Sequence, residues 1–252
     1  MQVGIIITYR AADLGTVRRE CENIDNAQGR YASAATQPSI LVSLSPAATK
    51  TTRFSATCGV GSIISTMPVI PESVEGLLAE CQEADTASLQ VHFPTSTVTK
   101  PGSQLSKADT QPTPSFSISS SAVQSNAKYI IISLDLDAPA PAISGLLSPI
   151  LHGIFSDLNT QGDPDANGFV KLIADAPPAA PYGPPKPPGF SSPHRYIFLI
   201  WEQPEGLTSG DIMSRLGVAD NMSLWSRIKW DEGSCEKKLG LGKPLGGNYF
   251  TV

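Results

Sequence analysis

KYIIISLDLDAP, residues 128–139, is the stretch on which the fold turns. Residues 128–134 form an apolar run without polar alternation, as expected for a β-strand covered on both faces. Directly after it, Asp135-Leu136-Asp137-Ala138-Pro139 places two carboxylates where the sheet gives way to a loop. Strand ends and loops are where a rigid sheet presents functional groups. An aspartate there also serves simply to organise a turn.

Working outward, similar runs recur at 150–158, 169–174 and 195–201. Upstream, Leu89, Val91 and Phe93 alternate with Gln90 and His92, the pattern of a half-buried strand, and Pro101-Gly102 marks a turn. Val74, Leu77, Leu78 and Cys81 recur at the spacing of one helix face, with Glu72 and Glu75 at the positive end of the helix dipole. Further helices are expected after Ser209, read as an N-cap, and around 230–239. Residues 176–189 hold seven prolines and exclude regular structure, because proline removes a backbone donor and fixes φ. The expected architecture is a β-rich α+β domain over residues 71–252, preceded by a weakly structured extension over residues 1–70.

Composition narrows the function classes. With 40% hydrophobic residues the chain is not disordered through charge, and its net charge of −5 offers no basic footprint for nucleic acid. No apolar run approaches the ~20 residues of a membrane-spanning helix. Lys50 and Arg53 precede an uncharged run over 54–70, the grammar of a secretory signal, which would make residues 1–52 a misplaced leader. The ordinary reading is a buried or loose segment. The protein is then cytoplasmic, with the secretory pathway as the alternative. Cys21, Cys58, Cys81 and Cys235 lack metal-ligand spacing, so no metal or cofactor is expected. A Cys81–Cys235 disulfide stays open if the protein is secreted.

Two of the three histidines have unusual neighbours. His152 lies inside an apolar strand, and His194-Arg195-Tyr196 opens another directly after the proline-rich loop. Asp135 with two imidazoles and a phenol makes a pocket, although a histidine within an apolar strand is more often a satisfied core residue.

The combined order is more specific than its parts. D-x-D-A-P at 135–139, His152, Gly183-Pro184-Pro185-Lys186 and His194-Arg195-Tyr196, with Gly246-Gly247-Asn248-Tyr249-Phe250, resembles the phosphatidylethanolamine-binding protein family. The resemblance covers about residues 86–252. It implies a central antiparallel sheet packed on a smaller sheet, with short peripheral helices and a small anion-binding pocket at one edge. It further implies that Asp135, His152, the backbone at Gly183, Pro184 and Pro185, His194 and Tyr196 form that pocket. Asp137, Pro139 and Arg195 would brace it, and Ala138–Pro139 would be cis. Imidazole and phenol donors suit an anion, and Asp135 would keep a histidine protonated. Three departures stand out: Leu136 between the aspartates, a long loop over 187–193, and a compact ending at Val252 resembling fungal and bacterial branches.

The resemblance implies a binder of carboxylate or phosphate. The partners expected are a small anionic ligand and a biosynthetic enzyme, in an accessory role in fungal secondary metabolism such as the coupling of anhydride monomers to maleidride-type products. Serine carboxypeptidase inhibition and phospholipid-binding or signalling regulation are the alternatives. Whether the chain is itself an enzyme stays open, since no hydrolase, zinc-protease or nucleotide motif is present.

Overall fold

A computed structural model describes residues 6–10, 19–20, 43–45, 71–83, 87–219 and 222–252. The chain divides into two units, Met1–Ile64 and Ser65–Val252. In the first, β1 (Ile6–Arg10) pairs antiparallel with β2 (Arg19–Glu20) and parallel with β3 (Ser43–Ser45). The expectations of a weakly structured extension over 1–70 and a signal-like run over 50–70 otherwise fall outside the described residues.

The second unit is built on nine strands: β4 (Leu89–Phe93), β5 (Ser96–Val98), β6 (Ser103–Gln104), β7 (Ser115–Ser119), β8 (Tyr129–Asp135), β9 (Ile150–Gln161), β10 (Phe169–Ala174), β11 (Arg195–Glu202) and β12 (Gly246–Thr251). They form one sheet in the order β5-β4-β7-β10-β9-β8-β11-β12-β6, antiparallel except where β6 meets β12. Helices α1 (Glu72–Glu83), α2 (Ser209–Leu216) and α3 (Glu232–Leu239) cover it.

Every residue of β8 is buried, and its two faces meet different cores. Ile130, Ile132 and Leu134 share one core with Val74 and Leu77 of α1, Ile212 of α2 and Leu239 of α3. Tyr129 and Ile131 share the other with Leu89, Val91 and Phe116. This is why the strand reads as an unbroken apolar run.

The smaller layer is the other end of the same sheet, and β9 carries the connection. Its first part pairs with β8 and its last four residues pair with β10. At the junction one residue of β8, Ile130, faces two of β9, Ser156 and Asp157, a bulge at which Asp157 takes φ +53°. Bulges bend a strand, and a positive φ outside glycine is uncommon enough to need holding in place. The Asp157 N–H donates to Gln203 Oε1 at 2.7 Å, and its carboxylate accepts from the Ser209 N–H at 2.8 Å and Gln203 Nε2 at 3.0 Å. The sheet thereby folds over until β4 lies against β12. There Asn248 Nδ2 donates to the Leu89 and Val98 carbonyls at 2.8 and 2.9 Å, and Phe93 meets Phe250 edge to face at 5.5 Å. On its other contacts β12 lies close to β11 and α1, and Gly247 permits this approach, because a Cβ there would lie 2.2 Å from the Phe198 carbonyl oxygen and 2.8 Å from Leu77.

One local expectation needs correction, and one open question closes. The N-cap of α2 is Thr208, in a capping box with Asp211, and Ser209 is the first helical residue. Its hydroxyl instead meets Ser156 Oγ at 2.6 Å. Cys81 and Cys235 are free thiols, one half-buried and one buried, so the disulfide left open by the sequence is not formed. Among the described residues, no helix is long and apolar enough to cross a membrane.

Candidate functional site

Asp135 ends β8 and organises the turn after it. Its Oδ1 accepts the Asp137 N–H at 2.8 Å, closing that turn, and its Oδ2 faces His194 Nδ1 at 2.9 Å. His194 is held by its backbone N–H, which donates to the Val252 carbonyl at 2.9 Å, and its Nε2 lies 2.9 Å from Ser191 Oγ. Burial works against charge on this imidazole. The hydrogen bond and charge of Asp135, with the charge of Asp137, outweigh it and place the His194 pKa above the usual 6.5. Tyr196 sits opposite Asp135 in the ladder, and burial followed by Asp135 keeps its phenol protonated.

His152 behaves differently. Its Nδ1 pairs with the Gly183 carbonyl, which can only accept, so Nδ1 carries the proton and Nε2 holds a bare lone pair when the ring is neutral. Burial pushes its pKa below 6.5 despite Asp135, with Arg227 and His194 pushing the same way. The ring meets Tyr196 edge to face at 5.1 Å, and Tyr196 in turn stacks on Phe250 at 5.5 Å. The two imidazoles thus divide roles. His194 is the candidate cation, and His152 is a neutral group fixed to the proline-rich loop.

Asp135, Pro139, His152, Gly183, Pro184, His194 and Tyr196 line one cavity of about 510 Å³. Pro185 lies behind its wall, with its carbonyl accepting from Gln111 Nε2 at 3.1 Å. The Gly183–Pro185 backbone has no uncommitted N–H for an anion. The Gly183 N–H donates to the His152 carbonyl at 2.6 Å, and proline has none. Asp137 and Arg195 brace the turn from outside the cavity. The Arg195 guanidinium donates from Nε and Nη2 to the two Asp137 oxygens at 2.8 Å, and its backbone N–H adds a third bond at 2.8 Å. Ala138–Pro139 is cis, as expected, and so is Ser148–Pro149.

The sequence reading missed three polar contributors. Arg227 lines the cavity while donating from Nη1 to the Leu151 carbonyl at 3.3 Å and from Nη2 to the Pro181 carbonyl at 2.9 Å. Lys186 lines the same cavity. Buried Ser148 locks the turn: its Oγ accepts the Ala138 N–H at 2.7 Å and donates to the Ala138 carbonyl at 3.2 Å. Arg227 and Ser148 lie in irregular segments with no motif around them. Lys186 closed the G-P-P-K segment, and its charge was the available signal. His92 is elsewhere, between Thr97 and Ser117 hydroxyls at 3.1 and 2.9 Å.

The sequence model of the phosphatidylethanolamine-binding protein family matches residues 95–249, well over half of the chain. This chain belongs to that family. Every cavity residue named above lies inside the match. The chain is 28% identical over 127 residues to the phomoidride biosynthesis cluster protein N of Talaromyces stipitatus, covering 50% of this chain and 59% of that protein. It is also 28% identical over 127 residues to a 26 kDa secreted antigen of Toxocara canis, covering 50% of this chain and 42% of the antigen. The chain therefore spans less than two thirds of the length of either relative. Carboxypeptidase Y inhibitor, solved in complex with its cognate proteinase, superposes with a TM-score of 0.51 at 19% identity over 74% of this chain and 97% of that one. That likeness shows the fold. In this family member the turn at Asp135–Pro139, His152, His194 and Tyr196 are thus gathered on one cavity.

Proposed function

We propose that this phosphatidylethanolamine-binding protein family member binds a small carboxylate or phosphate anion in the Asp135–His194 cavity, as an accessory factor in fungal secondary-metabolite biosynthesis such as anhydride-monomer coupling. One observation carries the binding reading. Three groups able to hold positive charge, His194, Arg227 and Lys186, line a cavity whose lining holds a single carboxylate, Asp135, already paired with His194. In a partly desolvated cavity such an excess of positive charge favours an anion. The metabolic half is supported by the Talaromyces stipitatus relative, whose name places it in a biosynthesis cluster. The likeness to carboxypeptidase Y inhibitor is one of fold at 19% identity and does not favour inhibition here.

Calorimetric titration with phosphate, acetate and a dicarboxylate tests the cavity. His194→Gln and Arg227→Gln should each weaken binding at least tenfold with the fold intact by circular dichroism. Unchanged affinity in both variants removes the reading. For the accessory role, adding the protein to a reconstituted anhydride-coupling reaction should change product yield or profile, and an identical outcome without it refutes that half.

A further inference from the structure

At the β4-β7-β10 end of the sheet, alternation leaves one face outside both cores. Leu89, Val91, Phe116, Ile118, Val170 and Leu172 share a core. Their strand neighbours Gln90, Ser119 and Phe169 therefore point the other way. That face carries a second cavity, of about 610 Å³, a size that suits a small organic molecule. Ser88, Gln90, Thr99, Ser119, Ser121 and Asn167 form its polar lining, with Ala87 and Phe169 as the apolar part. No lining residue is shared with the Asp135–His194 cavity. Ala87, Ser88 and Gln90 also precede the family match at 95–249.

Gln90 is the group that points to a ligand. It is only 6% exposed, yet its carboxamide has no hydrogen-bond partner among the described residues. Native structures rarely leave a buried amide unpaired without a reason. Opposite it in the β4–β7 ladder, Ser117 is bonded instead to His92, Oγ to Nε2 at 2.9 Å. Among the described residues, the fully occluded unpaired side-chain atoms belong to Ser96, Ser133, Trp201 and Glu232, so the Gln90 amide stays reachable from the cavity. Ser88 and Gln90 line the cavity while Leu89 and Val91 do not, so alternate side chains of this segment make the contact. The amide offers two donors and an acceptor oxygen at one point. Hydroxyls beside it are already set in place. Ser119 and Ser121 Oγ lie 2.8 Å apart, and Ser88 Oγ accepts the Gly247 N–H at 2.9 Å, leaving its own proton to donate.

Among the described residues, no charged side chain and no histidine lines this cavity. A charged ligand would be desolvated there without a counter-charge, which is costly. A hydroxyl-rich ligand meets carboxamides and hydroxyls as both donor and acceptor, and Phe169 offers an apolar wall to its C–H groups. β4 is paired on both edges, by β5 and β7, so an extended peptide has no free edge to join here. We infer that this cavity binds a neutral saccharide, anchored by hydrogen bonds in both directions between adjacent ring hydroxyls and the Gln90 carboxamide.

Chemical-shift mapping on the full chain, with glucose, galactose, N-acetylglucosamine and maltose as probes, tests this. At least one sugar should give saturable shifts centred on residues 87–90, 119–121 and 167–169 and on the Gln90 side-chain amide. Gln90→Leu should weaken that sugar at least tenfold without lowering the denaturation midpoint, since the amide it removes bonds nothing among the described residues. Phosphate should titrate in this variant as in the parent, and a loss of both ligands together would make the effect global and refute the site. Raising salt to about 0.5 M should leave the sugar's affinity within twofold, because no ion pair is there to screen. Failure of all four sugars to bind, or shifts centred elsewhere in the parent, overturns the proposal. So does a sugar bound equally well by Gln90→Leu. Tighter binding of glucuronate or glucosamine than of glucose would refute a neutral ligand.

Discussion

Two buried serines allow a controlled test of how the cavity wall is held. Ser148 is 1% exposed, and its hydroxyl both accepts the Ala138 N–H and donates to the Ala138 carbonyl. Ser133 is fully buried in β8, and its hydroxyl has no hydrogen-bond partner among the described residues. Ser148→Ala orphans a buried N–H at about 1–3 kcal/mol and weakens the satisfaction of a carbonyl, for a total of about 2–4 kcal/mol. For a unit of this size, about 2–4 °C per kcal/mol turns that into a fall in Tm of roughly 4–16 °C. Ser133→Ala removes a desolvated hydroxyl that bonds nothing, so it should be neutral within about 0.5 kcal/mol or stabilising. Urea denaturation and calorimetry on both variants measure the difference directly. Because Ser148 pins the turn that carries Asp135 and Pro139, Ser148→Ala should also weaken phosphate binding, whereas Ser133→Ala should not. Equal stabilities for the two variants, or Ser148→Ala within about 0.5 kcal/mol of the parent, would refute the reasoning.

The two cavity histidines should titrate in opposite directions in imidazole NMR, His194 above 6.5 and His152 below it. The stability held by His194 is full below 6.5 and lost as pH rises through its folded value. That held by neutral His152 is full above 6.5 and lost as pH falls through its folded value. Replacing each with Gln should remove its own limb of the stability–pH curve, and a curve unchanged in both variants would contradict the pairing. Glu232 is buried, with one oxygen accepting from Trp230 Nε1 at 2.8 Å and the other without a partner among the described residues, and burial raises its pKa to about 8. Glu232→Gln should therefore stabilise the protein at pH 9 and leave it unchanged at pH 4; a constant difference across that range would count against it. Gly247→Ala forces a Cβ against the Phe198 carbonyl and should cost about 3 kcal/mol or fail to fold, and a normal denaturation midpoint would show that the closure between β12 and α1 is looser than described.

What was legible in the sequence came from burial. β8, β9 and β11 are covered on both faces over most of their length, so their composition announces them. In β7, exposed or half-exposed Ser115, Ser117 and Ser119 alternate with buried Phe116 and Ile118, and so serine-rich a segment reads as loop. β12 opens with Gly246 and Gly247, which look like a breaker although close packing requires glycine there. The same division holds at the site. Asp135, His152, His194 and Tyr196 lie in or beside strong strand signals, whereas Arg227 and Ser148 reach the cavity by long-range closure of irregular segments. The proton on His152 Nδ1 was illegible for the same reason, because the carbonyl that fixes it comes from Gly183, 31 residues away.

The seam between β4 and β12 bears on how the protein is made. Asn248 closes it by bonding the carbonyls of Leu89 and Val98, and β12 also supplies the neighbour that β6 and the outer side of β11 require. On the ribosome, strands β4 to β11 emerge while that seam is still unmade, and the edge of β11 that pairs with β12 stays open until residues 246–251 clear the exit tunnel. Pairings this distant in sequence form slowly, and an uncovered strand edge invites a neighbouring chain to fill it. Conditions that delay the emergence of β12 relative to the folding of β4 to β11 should therefore affect the soluble yield of this protein more than the stability of the finished molecule.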